Sequence, residues 1–349
     1  MVLFIAGSYD NFGGKKSGLA EKYYQILKKY YGVVDFYNGG NLQQLSEYAQ
    51  SAEKYQIVVW WAKYDAENVK IVGIKEINPR CMLVCSKNNT NGNFVFGQII
   101  QHTLLKKGNL CFVFGKKNGL ICFDIVDPLG NILYSGTDLN QAGEIMYNRI
   151  EFLKTLGRKQ SFCVGEKIQV PNKPTFFQVV KKWGKKFHQV INPDQKTRYL
   201  GNASFRCQRG FPSFRHKNYI FVSARNIDKR YINKQNFVAT YLQDGKVNYY
   251  GDQKPSVDTP IQLELYANLP NINYIIHAHC YVKNAPFTML SLPCGAVEEA
   301  QEILKVIQNK NTEFVAINLK NHGCVVMSKT IKNFDFVQFE NRPFPEKLK

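Results

Sequence analysis

Short apolar runs alternate with amphipathic stretches across the first 155 residues of the chain. "MVLFIAG", "YQIVVWWA", "CMLVCS", "NLCFVFG" and "GLICFDIV" have the length and the β-branched or aromatic content of buried strands. Between and after them, "GLAEKYYQILKKYY", "NLQQLSEYAQSAEKY", "FGQIIQHTLLKK" and "LNQAGEIMYNRIEFLKTL" repeat apolar positions at helical spacing. Such alternation predicts a sheet with helices on its faces, so residues 1–160 are expected to form a parallel, doubly wound, Rossmann- or flavodoxin-like α/β domain. At "GRKQSFCVGEKIQVPNKP" charge, Gly and Pro replace the periodicity and mark a boundary, after which a second domain is expected over 172–349. Two domains also suit 349 residues, more than one hydrophobic core usually supports.

In the second half the pattern carries chemistry. "NYIIHAHCYV", 273–282, sets His277 and His279 inside an apolar run of a chain with only six histidines. An imidazole in a dry core needs a partner for each ring nitrogen or costs about 1–3 kcal/mol. In a strand, positions two apart share a face, so the two rings would lie side by side, as a metal ion requires. Before the pair, "KPSVDTPIQLELYANLPN" reads as a turn and then a helix capped by Asp258 or Thr259, with Pro260 in its first turn and Ile261 and Leu265 on one face. Some forty residues on, "VAINLKNHGCVVMSKT" is a second strand-like run, interrupted at Asn321-His322-Gly323. Three histidines on two neighbouring strands beside a carboxylate make the ligand set of a catalytic divalent metal with an open position. Cys280 would point to the opposite face and into the core. Cys294 and Cys324 read as ordinary thiols, and His102, His188 and His216 have no identifiable partners.

Composition narrows the class. With 44% apolar and 13% aromatic residues, both halves are expected to be globular. No run approaches eighteen apolar residues, which argues against a transmembrane helix. The apolar start lacks a basic flank and runs into a glycine-rich turn, so it reads as a strand rather than a signal peptide. Nine cysteines without a CxxC pair suit free thiols in a reducing compartment; a cytoplasmic location is the expectation. The net charge of +19 is local, since residues 154–230 hold 18 Lys and Arg against 3 Asp and Glu. A basic, aromatic-containing stretch suits a phosphorylated small molecule, a nucleic-acid backbone, or simple solvation.

The loop "AGSYDNFGGKKSG" invites a nucleotide-binding reading, but Phe12 stands where a phosphate loop needs its second glycine, and no G-x-G-x-x-G is present. A tight structural turn is expected there, although amides at the following helix start are able to bind an anion.

"GNAS" at 201–204, "IFVSARNIDK" at 220–229, "KPSVDTPIQLELYANLPNINYIIHAHC" at 254–280 and "LKNHGCVVMSKT" at 319–330 occur in the order and at the spacing of one family. Residues 175–335 thereby resemble the class II aldolase/adducin family, whose members include sugar-phosphate aldolases, an epimerase and a dehydratase. The resemblance implies an α/β/α domain with a mostly antiparallel sheet, usually assembled as a homo-tetramer with sites between subunits. It implies zinc, or another divalent ion such as manganese or cobalt, on His277, His279 and His322, with Asp258 as acid/base. It also implies phosphate contacts from Gly201 and Asn202, from the loop containing Ser223, Arg225 and Asn226, and from Ser256.

Three departures from the family pattern matter. Val257 stands where a serine would donate to phosphate. Arg225 and Asn226 stand where the family has glycine, and an arginine there would bind phosphate bidentately. The last tyrosine is Tyr281, so the C-terminal tyrosine of the epimerase-like members is missing. Glu298 or Glu299 is the candidate for a second acid/base, against a solvated helix start. Adducin-branch members lack the metal histidines, so their presence here favours an enzyme. The expectation is a metal-dependent lyase acting on a small anionic, phosphorylated hydroxycarbonyl compound through a metal-stabilised enediolate. Dehydration or epimerisation on the same scaffold is the near alternative, and polyanion or partner binding through the basic stretch, nucleic acid included, is the distant one.

Overall fold

The computed structural model describes residues 1–65, 71–89, 96–190, 199–207 and 219–340. The chain divides into two compact units, Met1–Thr155 and Leu156–Glu346.

The N-terminal unit is built on a seven-stranded sheet of order β2-β1-β3-β4-β5-β6-β7. Its strands are β1 (Val2–Asp10), β2 (Val34–Asn41), β3 (Ile57–Trp60), β4 (Met82–Asn89), β5 (Leu110–Lys117), β6 (Leu120–Val126) and β7 (Ile132–Gly136). Strands β1 to β5 run parallel; β6 and β7 continue the sheet antiparallel. The helices are α1 (Gly18–Tyr31), α2 (Leu42–Gln50), the single turn α3 (Ile74–Ile77), α4 (Phe96–Leu105) and α5 (Leu139–Thr155). Burial with a period of two on both faces of β1 shows why helices cover both sides. Val2, Phe4 and Ala6 join Tyr23 of α1 and Met146 of α5 in one core, whereas Leu3 and Ile5 join Leu45 and Ala49 of α2 in another. The first five strands follow the flavodoxin-like order, one of the two arrangements expected from the alternating sequence pattern.

The C-terminal unit carries an eight-stranded sheet of order β14-β15-β13-β9-β10-β11-β12-β8. Its strands are β8 (Ser161–Cys163), β9 (Asn202–Arg206), β10 (Ile220–Ser223), β11 (Phe237–Gln243), β12 (Lys246–Tyr249), β13 (Tyr274–Ala278), β14 (Phe314–Leu319) and β15 (Gly323–Ser328). All neighbours pair antiparallel except β12 and β8. Strand β8 comes from the stretch that the sequence reading leaves between the domains.

Helix α6 (Pro174–Val190) covers one face of this sheet, and α7 (Thr259–Asn268) and α8 (Glu298–Val306) cover the other. Tyr274, Ile276 and Ala278 pack with Phe176 and Val180 of α6, while Ile275 packs with Ile261 and Leu265 of α7 and Ile303 of α8. His277 follows Ile275 in this alternation and therefore faces the α7–α8 layer. The basic stretch lies partly outside the described residues, at 191–198 and 208–218, which takes His216 with it; the side chain of His188 is likewise outside them. Among the described residues no helix is long and apolar enough to cross a membrane.

Candidate metal centre

Two chain segments bring three histidines to the α7–α8 face. His277 is the penultimate residue of β13, His279 lies just past that strand's end, and His322 sits in the turn joining β14 to β15. Only His277 thus lies within a strand. Asn321 adopts φ +58° and Gly323 φ +128°, and these left-handed positions fold the hairpin so tightly that His322 is carried on the turn itself. All three imidazoles are buried, and each offers a nitrogen within 4.8 Å of the others. Ring centroids are 4.8 to 5.2 Å apart.

The other ring nitrogens show what such a cluster can hold. His277 Nδ1 lies 3.0 Å from the Cys324 carbonyl, an acceptor, so it carries the proton and leaves Nε2 a bare lone pair. That Nε2 meets His279 Nε2 at 3.2 Å. His322 Nδ1 is held 2.6 Å from Glu299 Oε1, and its Nε2 faces Cys294 Sγ at 3.2 Å. A carbonyl and a carboxylate fixing the far nitrogens of imidazoles whose near nitrogens converge is the arrangement that orients histidines toward a metal. The donor set therefore fits a divalent ion.

Electrostatics points the same way. Burial pushes His277 down to about 4 and His279 well below its usual value, with neighbouring imidazoles adding to the effect, so both rings are neutral at pH 7. Burial opposes charge on His322 as well, but the Glu299 carboxylate and the Cys294 thiol outweigh it and raise its affinity for a proton at the position a metal would take. Burial raises the Glu299 carboxyl and the Cys294 thiol, against the pull of His322.

Asp258 stands at the N-cap of α7 but does not cap it. Its Oδ2 accepts from Asn202 Nδ2 at 2.7 Å and its Oδ1 accepts from the Gly295 amide at 2.8 Å. Asn202, in turn, pairs with His277 across β9 and β13 and accepts from Gln262. Gly201 (φ +74°) begins this turn.

The expected anion loops are knitted into the same layer. Ser223 Oγ accepts from the Ala203 amide, the Ser223 carbonyl accepts from the Ser256 amide, and Ser256 Oγ accepts from the Asp258 amide. Arg225 reaches the Pro255 carbonyl, and Asn226 Oδ1 accepts from the Tyr199 amide. Glu298 is placed elsewhere: its Oε1 accepts from the Gly157 amide, whereas Glu299, one helical step on, holds His322.

Two residues of this neighbourhood escape the sequence reading. Cys294 is one, reached only through the loop preceding α8. The other is Lys229, buried in a 3-10 turn where Arg230 takes the Asp228 carboxylate at 2.6 Å and Lys229 Nζ donates to the Tyr199 carbonyl at 3.2 Å. Gly184 of α6 makes room for that turn, because a Cβ there would lie 2.8 Å from the Lys229 carbonyl carbon. Burial pushes the Lys229 ammonium down to about 7, against the pull of Asp258 and Asp228.

A folded value below the unfolded one means that the native state binds fewer protons between about 7 and 10.5. The wild type should then gain stability relative to Lys229→Met as pH rises through that window. The difference in Tm between the two, measured with chelator present, should move toward the wild type from pH 6 to pH 10. A pH-independent difference would show that burial does not depress the Lys229 ammonium.

A sequence model of the class II aldolase and adducin N-terminal domain matches residues 187–285. L-fuculose phosphate aldolase of Methanococcus maripaludis is 24% identical, over 35% of this chain and 74% of its own length. A sugar-phosphate aldolase from Thermotoga maritima has a structure similar over 45% of this chain and 90% of its own, at 15% identity and a TM-score of 0.33. The DNA/pantothenate metabolism flavoprotein from Streptococcus pneumoniae is similar over 44% of this chain and 98% of its own, at 12% identity and a TM-score of 0.37. Within the C-terminal unit, therefore, residues 187–285 match the class II aldolase and adducin family to which the order of the motifs already points.

Proposed function

We propose that the C-terminal unit is a divalent-metal-dependent lyase of the class II aldolase type, acting on a small phosphorylated hydroxycarbonyl compound. The observation that carries this reading is the buried trio of imidazoles, with His277 pinned by a backbone carbonyl and His322 by a carboxylate, beside the buried Asp258. The name of the methanococcal relative supports it. Zinc, manganese or cobalt on His277, His279 and His322 would supply the Lewis acidity that draws electrons from the oxygens of such a substrate.

The chain's own residues do the rest. Asp258 is held in one orientation by Asn202 and the Gly295 amide, so it gives and takes the substrate proton from a fixed position. Proton transfer is assigned to Asp258 rather than to Glu298, whose carboxylate serves the Gly157 amide. Glu299 positions His322. Gly201, Asn202, Ser223, Arg225, Asn226 and Ser256 are assigned to the substrate's anionic end, with the Arg225 guanidinium replacing the donor lost at Val257. Assembly as a homo-tetramer belongs to the same proposal.

The test is release of aldehyde from L-fuculose 1-phosphate and other ketose 1-phosphates. Turnover should vanish with chelator and return with added zinc, manganese or cobalt. Asp258→Asn should lower kcat by at least about 100-fold at unchanged metal content. Full turnover in chelator, or an Asp258→Asn variant with wild-type kcat, would contradict the proposal.

A further inference from the structure

The N-terminal unit has a cavity of about 580 Å³ at the carboxyl ends of its parallel strands. Strand order reverses between β1 and β3, so the connections leaving them cross to opposite faces and open a crevice at that edge. We propose that this cavity binds a mononucleotide, its phosphates against Lys15, Lys16 and the start of α1, and its flat base against Trp61 and Phe114. The inference concerns a different unit from the metal centre and stands independently of the function proposed there.

Three glycines build the phosphate end. Without them the loop 11–17 could not lie against the ends of β1 and β2. A Cβ on Gly14 would sit 2.0 Å from the Ser8 carbonyl oxygen, one on Gly39 2.8 Å from Lys15, and one on Gly7 2.5 Å from the Gly39 amide. Hydrogen bonds lock the loop. The Ser8 amide donates to the Lys15 carbonyl, the Lys15 amide to Ser8 Oγ, the Gly14 amide to the Gly40 carbonyl and the Ser17 amide to Asn38 Oδ1, at 2.7 to 2.9 Å. Consequently the first turn of a fourteen-residue helix is fixed at the mouth of the cavity. The loop matches no nucleotide-binding signature in sequence because its glycines act across strands β1 and β2 instead of at fixed spacing along the chain.

Charge and surface chemistry agree. Lys63 after β3 and Lys116 of β5 join Lys15 and Lys16 among the lining residues, and no carboxylate lines the cavity among the described residues. Lysines converging from three separate segments, with no acid among the described lining residues to balance them, suit a ligand with more than one negative charge. The lining is also aromatic. Trp61 and Phe114 meet edge to face at 4.8 Å, and Trp61 is only 5% exposed, yet its indole N–H has no hydrogen-bond partner among the described residues. A buried donor without a partner, on a residue lining a cavity, is what a base acceptor would satisfy.

The experiment is titration of the full-length protein with ATP, CTP, FMN, adenosine and inorganic phosphate, followed by calorimetry and tryptophan fluorescence. At least one of the nucleotides should bind at micromolar concentration. Inorganic phosphate and adenosine should bind at least tenfold more weakly, since each engages one end only. Lys15 and Lys16 are exposed, so a Lys15→Ala, Lys16→Ala variant should fold normally and lose at least tenfold in nucleotide affinity; Lys63→Ala should act in the same direction. The inference would be overturned by the absence of saturable nucleotide binding, by undiminished binding in the double variant, or by equal affinity for phosphate and nucleotide.

Discussion

Gly323→Ala is expected to destabilise the C-terminal unit by at least about 3 kcal/mol, among the largest effects of any single methyl group in this chain. Gly323 holds φ +128°, and a Cβ there would lie 2.0 Å from the Ala278 carbonyl oxygen and 2.8 Å from the His279 Cα. Both costs fall on one place, because β13 and β15 pair from Ala278 to Cys324 immediately beside the turn. Relief requires β15 to move away from β13, which separates His322 from His277 and His279. The variant should therefore show a transition of the C-terminal unit about 6 °C or more lower by calorimetry, together with weaker metal binding. An unchanged Tm would mean that the close approach of the turn to the His277–His279 strand is not a feature of the protein.

The second large effect is a graded response of metal affinity to substitution around the three imidazoles. Removing His277 and His279 together takes away two of the three proposed ligands and should abolish stoichiometric binding. Glu299→Ala leaves all three ligands but frees the His322 ring that the carboxylate holds at 2.6 Å, and losses of this kind run to about 10–100-fold in affinity. Asp258→Asn should leave affinity nearly unchanged, because Asp258 is engaged with Asn202 and the Gly295 amide. Competition against a chromogenic chelator reads all three. Equal affinity of Glu299→Ala and wild type would remove Glu299 from the positioning role.

The periodicity of the sequence reads out the elements that bury a full face. The run "GLAEKYYQILKKYY" is α1 from its first residue to its last, since Ala20, Tyr23, Ile26 and Leu27 keep one helical stripe. Strand β2, "VDFYNGGN", escapes because it is a sheet edge, half-buried and polar, with pairing to β1 rather than apolar content holding it. Strand β8 is three residues long and exists only through its ladder with β12, which no local pattern encodes.

The candidate metal centre divides similarly. Its histidines are visible because a spacing of two at the end of a strand-like run and the motif order are local properties. The choice between Glu298 and Glu299 is a matter of 100° on a helix. The buried stripe through Ala300 and Ile303 includes Glu299, so the apolar positions of α8 contain that answer. Lys229 and Cys294 are another matter. Their place depends on how Arg230 engages Asp228 and how the loop before α8 returns to His322, contacts that only the folded chain brings about.

The most direct measurement is the metal content of the purified protein and of its His277→Ala, His279→Ala variant, by elemental analysis after incubation with zinc and desalting. About one ion per chain in the wild type and none in the variant is the result predicted by three buried imidazoles with converging nitrogens. No bound ion in the wild type, with zinc, manganese and cobalt all offered, would contradict the metal centre and the lyase reading with it.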